Sequence, residues 1–406
     1  MSAPPLNTAS AVAAEHRGLV VGSAGMMVAG FLTTFLSPLL AVSFAKEFSF
    51  GTQYAGVLVA AGQTGVAVAA LAVLPILPRL DRRALGIAGA VLTALCLAGT
   101  GLLDDFWAVL AVQIVMGLGA GLCYAAANSA LAYARHPERA FSIVTISWML
   151  AGAAMLTLGP MLHDAWPHEG IYLGMAAAEL LCVVFIMRLP DVRRLPKNDP
   201  VTEGGPRAGA GTAVPAALLV GALLLMNVGN MMIWTYAQSI GERTGLSTEF
   251  TSTFLGLSQL VGLIGSGLTL ALGGRVSKML IVVPAVVVLA VGNLLVGTST
   301  GPAPFTIGFL AVNVAFFCLS PLLLALAAEL DTRSGQLVVI AGAASLVAGS
   351  IAPALGGAIA GPDEHWARLG FTALSLALVA IPLLVLPVRR ARSSDPEPQA
   401  RTEPVQ

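Results

Sequence analysis

A lone carboxyl in an apolar stretch is the first place to look for chemistry, and Glu179 is one, set in Ala-Ala-Ala-Glu-Leu-Leu near the middle of the run 169–189. At membrane depth such a group is a candidate proton carrier, or else an acid hydrogen-bonded to a neighbouring helix. Polar side chains in other apolar runs fall in stripes. Asn227, Asn230, Trp234 and Gln238 lie at offsets 0, 3, 7 and 11, which at about 100° per residue place them in one sector of a helix. Gln113, Tyr124 and Asn128 share a face with Gly117; Asn313 and Ser320 are seven apart; Thr33, Thr34 and Ser37 form a third group. No metal-binding H-E-x-x-H, phosphate-binding loop or G-x-S-x-G elbow is present, so no catalytic residue and no cofactor is expected. The five histidines fall outside the apolar runs; His163, Asp164, His168 and Glu169 cluster in one connection, where a polar loop is a simpler reading than a metal site. Cys96, Cys123, Cys182 and Cys318 all lie inside apolar runs, as small core residues do, and match neither a disulfide framework nor a zinc site.

The elements that must position these groups follow from composition. The 406 residues are 57% hydrophobic and only 10% charged, with mean hydropathy +0.85. A soluble domain is about a quarter charged, so this surface belongs in lipid. Apolar runs are expected as helices over 18–42, 53–77, 84–103, 106–133, 140–162 and 169–189, then 213–239, 248–273, 279–298, 305–329, 336–360 and 367–388. Lipid offers backbone groups no water partners, so spans of this length satisfy themselves as helices. The first run is too long for a signal-peptide core of roughly 7–15 residues, and is expected to be retained.

The Lys and Arg distribution sets the orientation. With the N-terminus inside, the inner connections and tails carry 18 of the 21 basic residues, and the outer ones carry only Lys46, Arg243 and Arg368. That split places both termini in the cytoplasm. The expected organisation is a cytoplasmic tail 1–17, a six-helix bundle 18–189, a central cytoplasmic loop 190–212, a second bundle 213–388 and a disordered tail 389–406. The two bundles repeat: Arg82 and Arg275 are 193 apart, Pro160 and Pro353 also 193, Cys123 and Cys318 195. Equivalent places in two six-helix units point to a parallel duplication.

Six plus six helices, both ends inside and a basic central loop resemble the major facilitator superfamily. Its loop between helices 2 and 3, G-x-x-x-D-R-x-G-R-R, is similar to Leu77-Pro-Arg-Leu-Asp81-Arg82-Arg83-Ala84, which keeps the Asp-Arg core. The second copy is Gly273-Gly274-Arg275. The resemblance implies a gating latch of charges at Asp81, Arg82, Arg83 and Arg275, the alternative being a basic loop that only sets topology. Arg135, Glu138, Arg139, Glu329, Asp331 and Arg333 are a further gating cluster or solvated loop charge. The family's R-x-x-x-G of helix 4 keeps Gly117, Gly119 and Gly121 but has Gln113 in place of the Arg. The fifth-helix pattern of drug–proton antiporters survives in part as Gly159-Pro160 and as Ala352-Pro353 with Gly356-Gly357, implying a hinge, or packing around a tolerated kink.

The same resemblance implies an all-α fold with a central cavity lined by helices 1, 4, 7 and 10. The stripes then nominate Thr33, Ser37, Gln113, Tyr124, Asn128, Asn227, Asn230, Trp234, Gln238, Asn313 and Ser320 as its wall. No Asp, Glu, Lys or Arg lies at mid-depth on those four helices, whereas an anion carrier would need a cation to offset desolvation. The expectation is therefore a secondary transporter of a neutral, amphipathic or aromatic solute. Protons are a candidate coupling ion, and the partial fifth-helix patterns favour export. The partners expected are the solute and the bilayer, with no nucleic acid, and the chain is expected to act as a monomer in a bacterial inner membrane. The alternatives are a permease for small organic acids, a non-transporting sensor and an intramembrane enzyme.

Overall fold

The computed structural model describes residues 6–131, 133–134, 137–167, 169–191, 213–272, 275–330 and 336–392. Of the charges considered for gating, Arg135, Asp331 and Arg333, together with the side chain of Glu138, lie outside that set, as do Gly274 and His168. In chain order the elements are α1 (Leu6–Phe35), α2 (Ser37–Val42), a π-helical turn (Ser43–Glu47), α3 (Gly51–Val73), a 3-10 turn (Leu77–Arg79), α4 (Arg82–Thr100), α5 (Phe106–Leu131), α6 (Pro137–Ala165) and α7 (Gly170–Ile186). The second half holds α8 (Ala213–Arg243), α9 (Thr248–Leu272), α10 (Lys278–Gly297), α11 (Pro302–Leu330), α12 (Gln336–Ala360) and α13 (Trp366–Arg392).

Among the described residues, eleven helical stretches are long and apolar enough to cross a bilayer, with α1, α2 and the π turn counted as one. The twelfth, α7, has 17 residues, about 25 Å at 1.5 Å per residue, the short end of the spanning range. Two tails differ from expectation. The chain is already helical from Leu6, within the expected tail 1–17, because residues 6–17 are rich in Ala, the best helix former. The last helix likewise runs on to Arg392, past the expected end at 388.

The expected first helix is broken at Leu36, and Pro38 is the cause. It enters the first turn of α2 and has no N–H for the carbonyl four residues back, that of Thr34. Pro321 does the same to the Phe317 carbonyl inside α11, which instead accepts the Ser266 hydroxyl of α9 at 3.1 Å. Neighbouring helices thus repair what proline removes, as they must in lipid.

Packing pairs recur in the two halves. α3 lies on α5 as α9 lies on α11; α4 on α5 as α10 on α11; α4 on α7 as α10 on α13; α1 on α7 as α8 on α13. The first of these pairs is a glycine crossing: a Cβ on Gly117 would stand 1.9 Å from the Gly62 carbonyl oxygen, and one on Gly121 2.4 Å from that of Val66. The G-x-x-x-G step of α5 therefore serves close approach to α3. The halves meet where α3 crosses α12, where α6 crosses α9 and where α2 touches α8.

Candidate functional site

Between the halves lies a narrow, almost filled cleft, lined by Thr34, Ser37, Val59 and Gln63 from the first half and Met231, Thr235, Gly349 and Pro353 from the second. Its polar lining is uncharged. Thr34 donates to the Gln63 Oε1 at 2.9 Å. The Thr34 carbonyl freed by Pro38 accepts the Trp234 indole N–H of the opposite half at 3.3 Å. Pro353, on the far wall, likewise leaves the Gly349 carbonyl without its helical donor. Proline thus turns helix backbone into polar lining.

Aromatic rings run beside the cleft in a continuous arc. Phe31 stacks on Trp148 (centroids 4.9 Å, 15° between planes) and meets the Tyr124 ring edge-on at 5.3 Å. Phe35 joins Trp148 at 5.6 Å to Trp234 at 5.5 Å, across the two halves. Trp234 continues to Phe309 at 5.9 Å, and Phe309 to Phe254 and Phe305. Phe35, Trp234, Phe305 and Phe309 are buried, while Phe31, Tyr124 and Trp148 are only half-buried.

Of the residues singled out from sequence, Ser37 lines the cleft, Pro353 forms its wall and Trp234 spans it. Asn227 and Asn230 are buried on the same helix, Asn227 donating to its own Leu223 carbonyl at 2.8 Å. Three others are spent on holding helices together. Gln238, wholly buried, donates to Glu242 (2.9 Å) and the Thr248 carbonyl (3.1 Å) and accepts from Ser252 (3.1 Å), fastening α8 to α9. Asn313 donates to Ser258 at 3.2 Å, joining α11 to α9. Gln113 donates to Thr100 at 3.4 Å and packs beside Gly62, inside the first half. Thr33 is buried with its hydroxyl unpartnered among the described residues, and Ser320 is half-buried. Gln63 and Thr235 carry no such signal in the stripes; Gln63 lies on the second helix, outside the four expected cavity helices.

Glu179 is completely buried, with neither carboxylate oxygen bonded among the described residues. Cys123 and Cys182 are its near neighbours, and the Cys123 thiol donates to the Gly86 carbonyl of α4 at 3.2 Å. The carboxyl therefore sits within the first half, among α4, α5 and α7, and off the cleft.

The expected latch charges are engaged in their own halves in this structure. Asp81 caps α4, accepting from the amides of Arg83 (2.9 Å) and Ala84 (3.4 Å). Arg82 is buried, donates to Ser129 at 2.9 Å and lies over the Tyr133 ring at 5.1 Å, both in the first half. Arg83 is exposed; Arg275 is exposed and turns back onto the Ala271 carbonyl of α9; Glu329 pairs with Lys278. The described hydrogen bonds between halves run instead from the cleft toward the opposite end, that of Lys46. They are Trp234 to Thr34, Tyr236 to the Thr52 carbonyl (3.5 Å), Thr52 to Glu364 (2.7 Å) and Lys46 to Glu242 (2.7 Å).

The expected hinge residues are occupied by side chains. A Cβ on Gly159, the residue directly before Pro160 within α6, would lie 2.6 Å from the Leu39 side chain. Gly356 and Gly357, with Gly56 of the other half, form a socket for Tyr236, whose hydroxyl donates to the Pro353 carbonyl at 2.8 Å.

The family model described as Major Facilitator Superfamily matches residues 22–338. A search of curated proteins by sequence finds no match. Among solved structures the chain is similar to a bacterial homolog of the human lysosomal transporter Spinster, inward-facing and unoccupied, with TM-score 0.70 and 14% identity over 95% of this chain and 99% of that one. A D-xylose–proton symporter matches with TM-score 0.66 and 16% identity over 91% and 96% of the two chains. A nucleoside transporter matches with TM-score 0.66 and 14% identity over 93% and 99%. At such identities the likeness is one of fold.

Proposed function

This chain belongs to the major facilitator superfamily, and we propose that it carries a small uncharged solute across the cell membrane by alternating access through the cleft between its halves. The observation that supports this most is the cleft's lining: Thr34, Ser37, Gln63 and Thr235 offer hydroxyls and an amide among apolar and backbone surface, with no charged side chain. An organic acid would have to leave water for a lining with no cation to meet it, which costs several kcal/mol. The solved relatives of the same fold include proteins named for D-xylose and for nucleosides, both uncharged hydrogen-bonding solutes. The cleft is completed within one chain, so the monomer is the proposed working unit.

The 18-to-3 charge split places the termini in the cytoplasm and the Lys46 end outside. On that orientation the hydrogen bonds between halves close the outer end. The bacterial Spinster homolog of the same fold is named as inward-facing.

The test is initial-rate transport of a panel of neutral and anionic solutes in proteoliposomes, wild type against Gln63→Leu. Leu is similar in volume but has neither donor nor acceptor, and leaving substrate polar groups unpaired costs at least about tenfold. Uptake of an uncharged solute that falls by that factor in the variant supports the reading. A variant as fast as wild type removes the cleft from the path. Loading the solute on either side reads direction, and export is expected from the fifth-helix patterns.

A further inference from the structure

The two halves are copies of one plan, so a side chain kept in one copy and absent from the other serves something the fold alone does not need. The fifth-helix offset of 193, fixed by Pro160 and Pro353, carries Trp148 onto Ala341. The fourth-helix offset of 195, fixed by Cys123 and Cys318, carries Tyr124 onto Leu319 and Asn128 onto Leu323. Ala341, Leu319 and Leu323 are each 1% exposed and close an apolar core. Their counterparts carry polar atoms and are half-buried, and Tyr124 and Trp148 are also larger. In the first half the plan is opened; in the second it is filled.

From this asymmetry, and resting on the transporter reading above, we propose that Phe31, Tyr124, Asn128 and Trp148 form a subsite for an uncharged planar heteroaromatic ring with a donor and an acceptor on one edge. Phe31 and Trp148 are stacked face to face at 4.9 Å, with Tyr124 edge-on to Phe31, so the cluster offers a preformed aromatic wall on which a ring can stack or abut. The cluster keeps two polar groups for the ring's edge. Asn128 spends its Nδ2 on the Tyr124 carbonyl at 2.8 Å, which leaves its Oδ1 to accept. No hydrogen bond to the Trp148 indole N–H is found among the described residues, which leaves that group to donate. No Lys, Arg, Asp or Glu belongs to the cluster, which excludes a charged ring as the preferred ligand.

The experiment is isothermal titration of the full-length purified protein with nicotinamide and uracil, and with D-xylose as a ringed but non-aromatic control. Trp148→Ala and Tyr124→Leu move toward the residues of the second half, which that half already folds with, and Trp148→Phe keeps the ring without the N–H. Binding of at least one heteroaromatic probe is expected, weakened about tenfold by Trp148→Ala and by Tyr124→Leu and less by Trp148→Phe. The unliganded melting temperature should stay near wild type in Trp148→Phe and fall in Trp148→Ala, which gives up ring contacts to Phe31 and Phe35. Binding of neither probe, or binding that both variants leave unchanged, overturns the subsite. If D-xylose or another neutral solute is still transported in that case, the subsite alone has failed. If no solute in the panel moves, the transporter reading has failed with it.

Discussion

Gln238 and Glu179 are both completely buried polar side chains, and they differ in what their atoms touch. Gln238 has all its visible capacity used between α8 and α9; both oxygens of Glu179 are unpartnered among the described residues. A stripe of polar residues marks the inward face of a helix, because polar atoms at membrane depth face the bundle, but facing inward is common to a cavity wall and to a tie between helices. That is why Gln113, Gln238 and Asn313, which the stripes nominate as cavity wall, are hydrogen-bonded between helices here, while Gln63 and Thr235, which line the cleft, stand outside the stripes. The one signal that could have found the cleft is proline spacing: Pro38 and Pro353 each stand four residues after a carbonyl that lines or crosses it. If transport is driven by a proton gradient, Glu179 is the acid at mid-membrane on which coupling rests. Glu179→Gln preserves shape and removes the titrating group, so gradient-driven accumulation should fall to the level of passive exchange while solute counterflow continues. Accumulation unchanged in the variant would exclude Glu179 from the cycle.

At the scale of elements, α3 against α12 is where the halves are most closely fitted, and Tyr236 of α8 reaches into that crossing. Tyr236 is 1% exposed, and its hydroxyl occupies the space that a Cβ on Gly56 would need, 2.2 Å away, with the Pro353 carbonyl at 2.4 Å. These small residues therefore carry a reason that their likeness to a family pattern did not show: they receive a phenol from the facing helix. Helix positions and the duplication were legible in advance because apolar runs and repeated offsets are properties of single segments; the socket joins α3, α8 and α12, and no segment shows it alone. Tyr236→Phe removes the hydroxyl that reaches the Pro353 carbonyl of its own half and, at 3.5 Å, the Thr52 carbonyl of the other and leaves the ring packed; losing the bond between the halves costs the closed Lys46 end at most about 1 kcal/mol, roughly a fivefold change in the ratio of the two states. The check is the alkylation rate of Ser37→Cys by an impermeant maleimide added at the Lys46 side, which should rise in the Tyr236→Phe background. Gly56→Ala cannot keep the socket as it stands, so it should increase that rate more than Tyr236→Phe does. An unchanged rate in both would mean that Tyr236 does not hold that end shut.

At the scale of the whole molecule, duplication fixes the architecture and asymmetry gives it direction. Every major packing pair of the first half has a counterpart in the second, yet the described hydrogen bonds between halves gather on the Lys46 side of the cleft. Alternating access closes first one end and then the other, and which end faces the cytoplasm decides on which side these bonds hold the halves together. The exposed Lys46–Glu242 pair does not decide it: with the lysine side chain 60% exposed, such a pair contributes about 0–1 kcal/mol. The basic residues favour the cytoplasm for the end opposite Lys46, since 18 of 21 fall on the connections and tails of that side and short basic connections resist translocation. In intact cells, with the four native cysteines replaced, an impermeant maleimide should label Asp104→Cys, which is exposed on the α4–α5 connection, and spare Arg83→Cys, exposed at the start of α4. Permeabilising the cells should make Arg83→Cys reactive. The reverse pattern would invert the topology and put the bonded Lys46 end in the cytoplasm; labelling of both in intact cells would break the alternation of spans on which the twelve-helix reading stands.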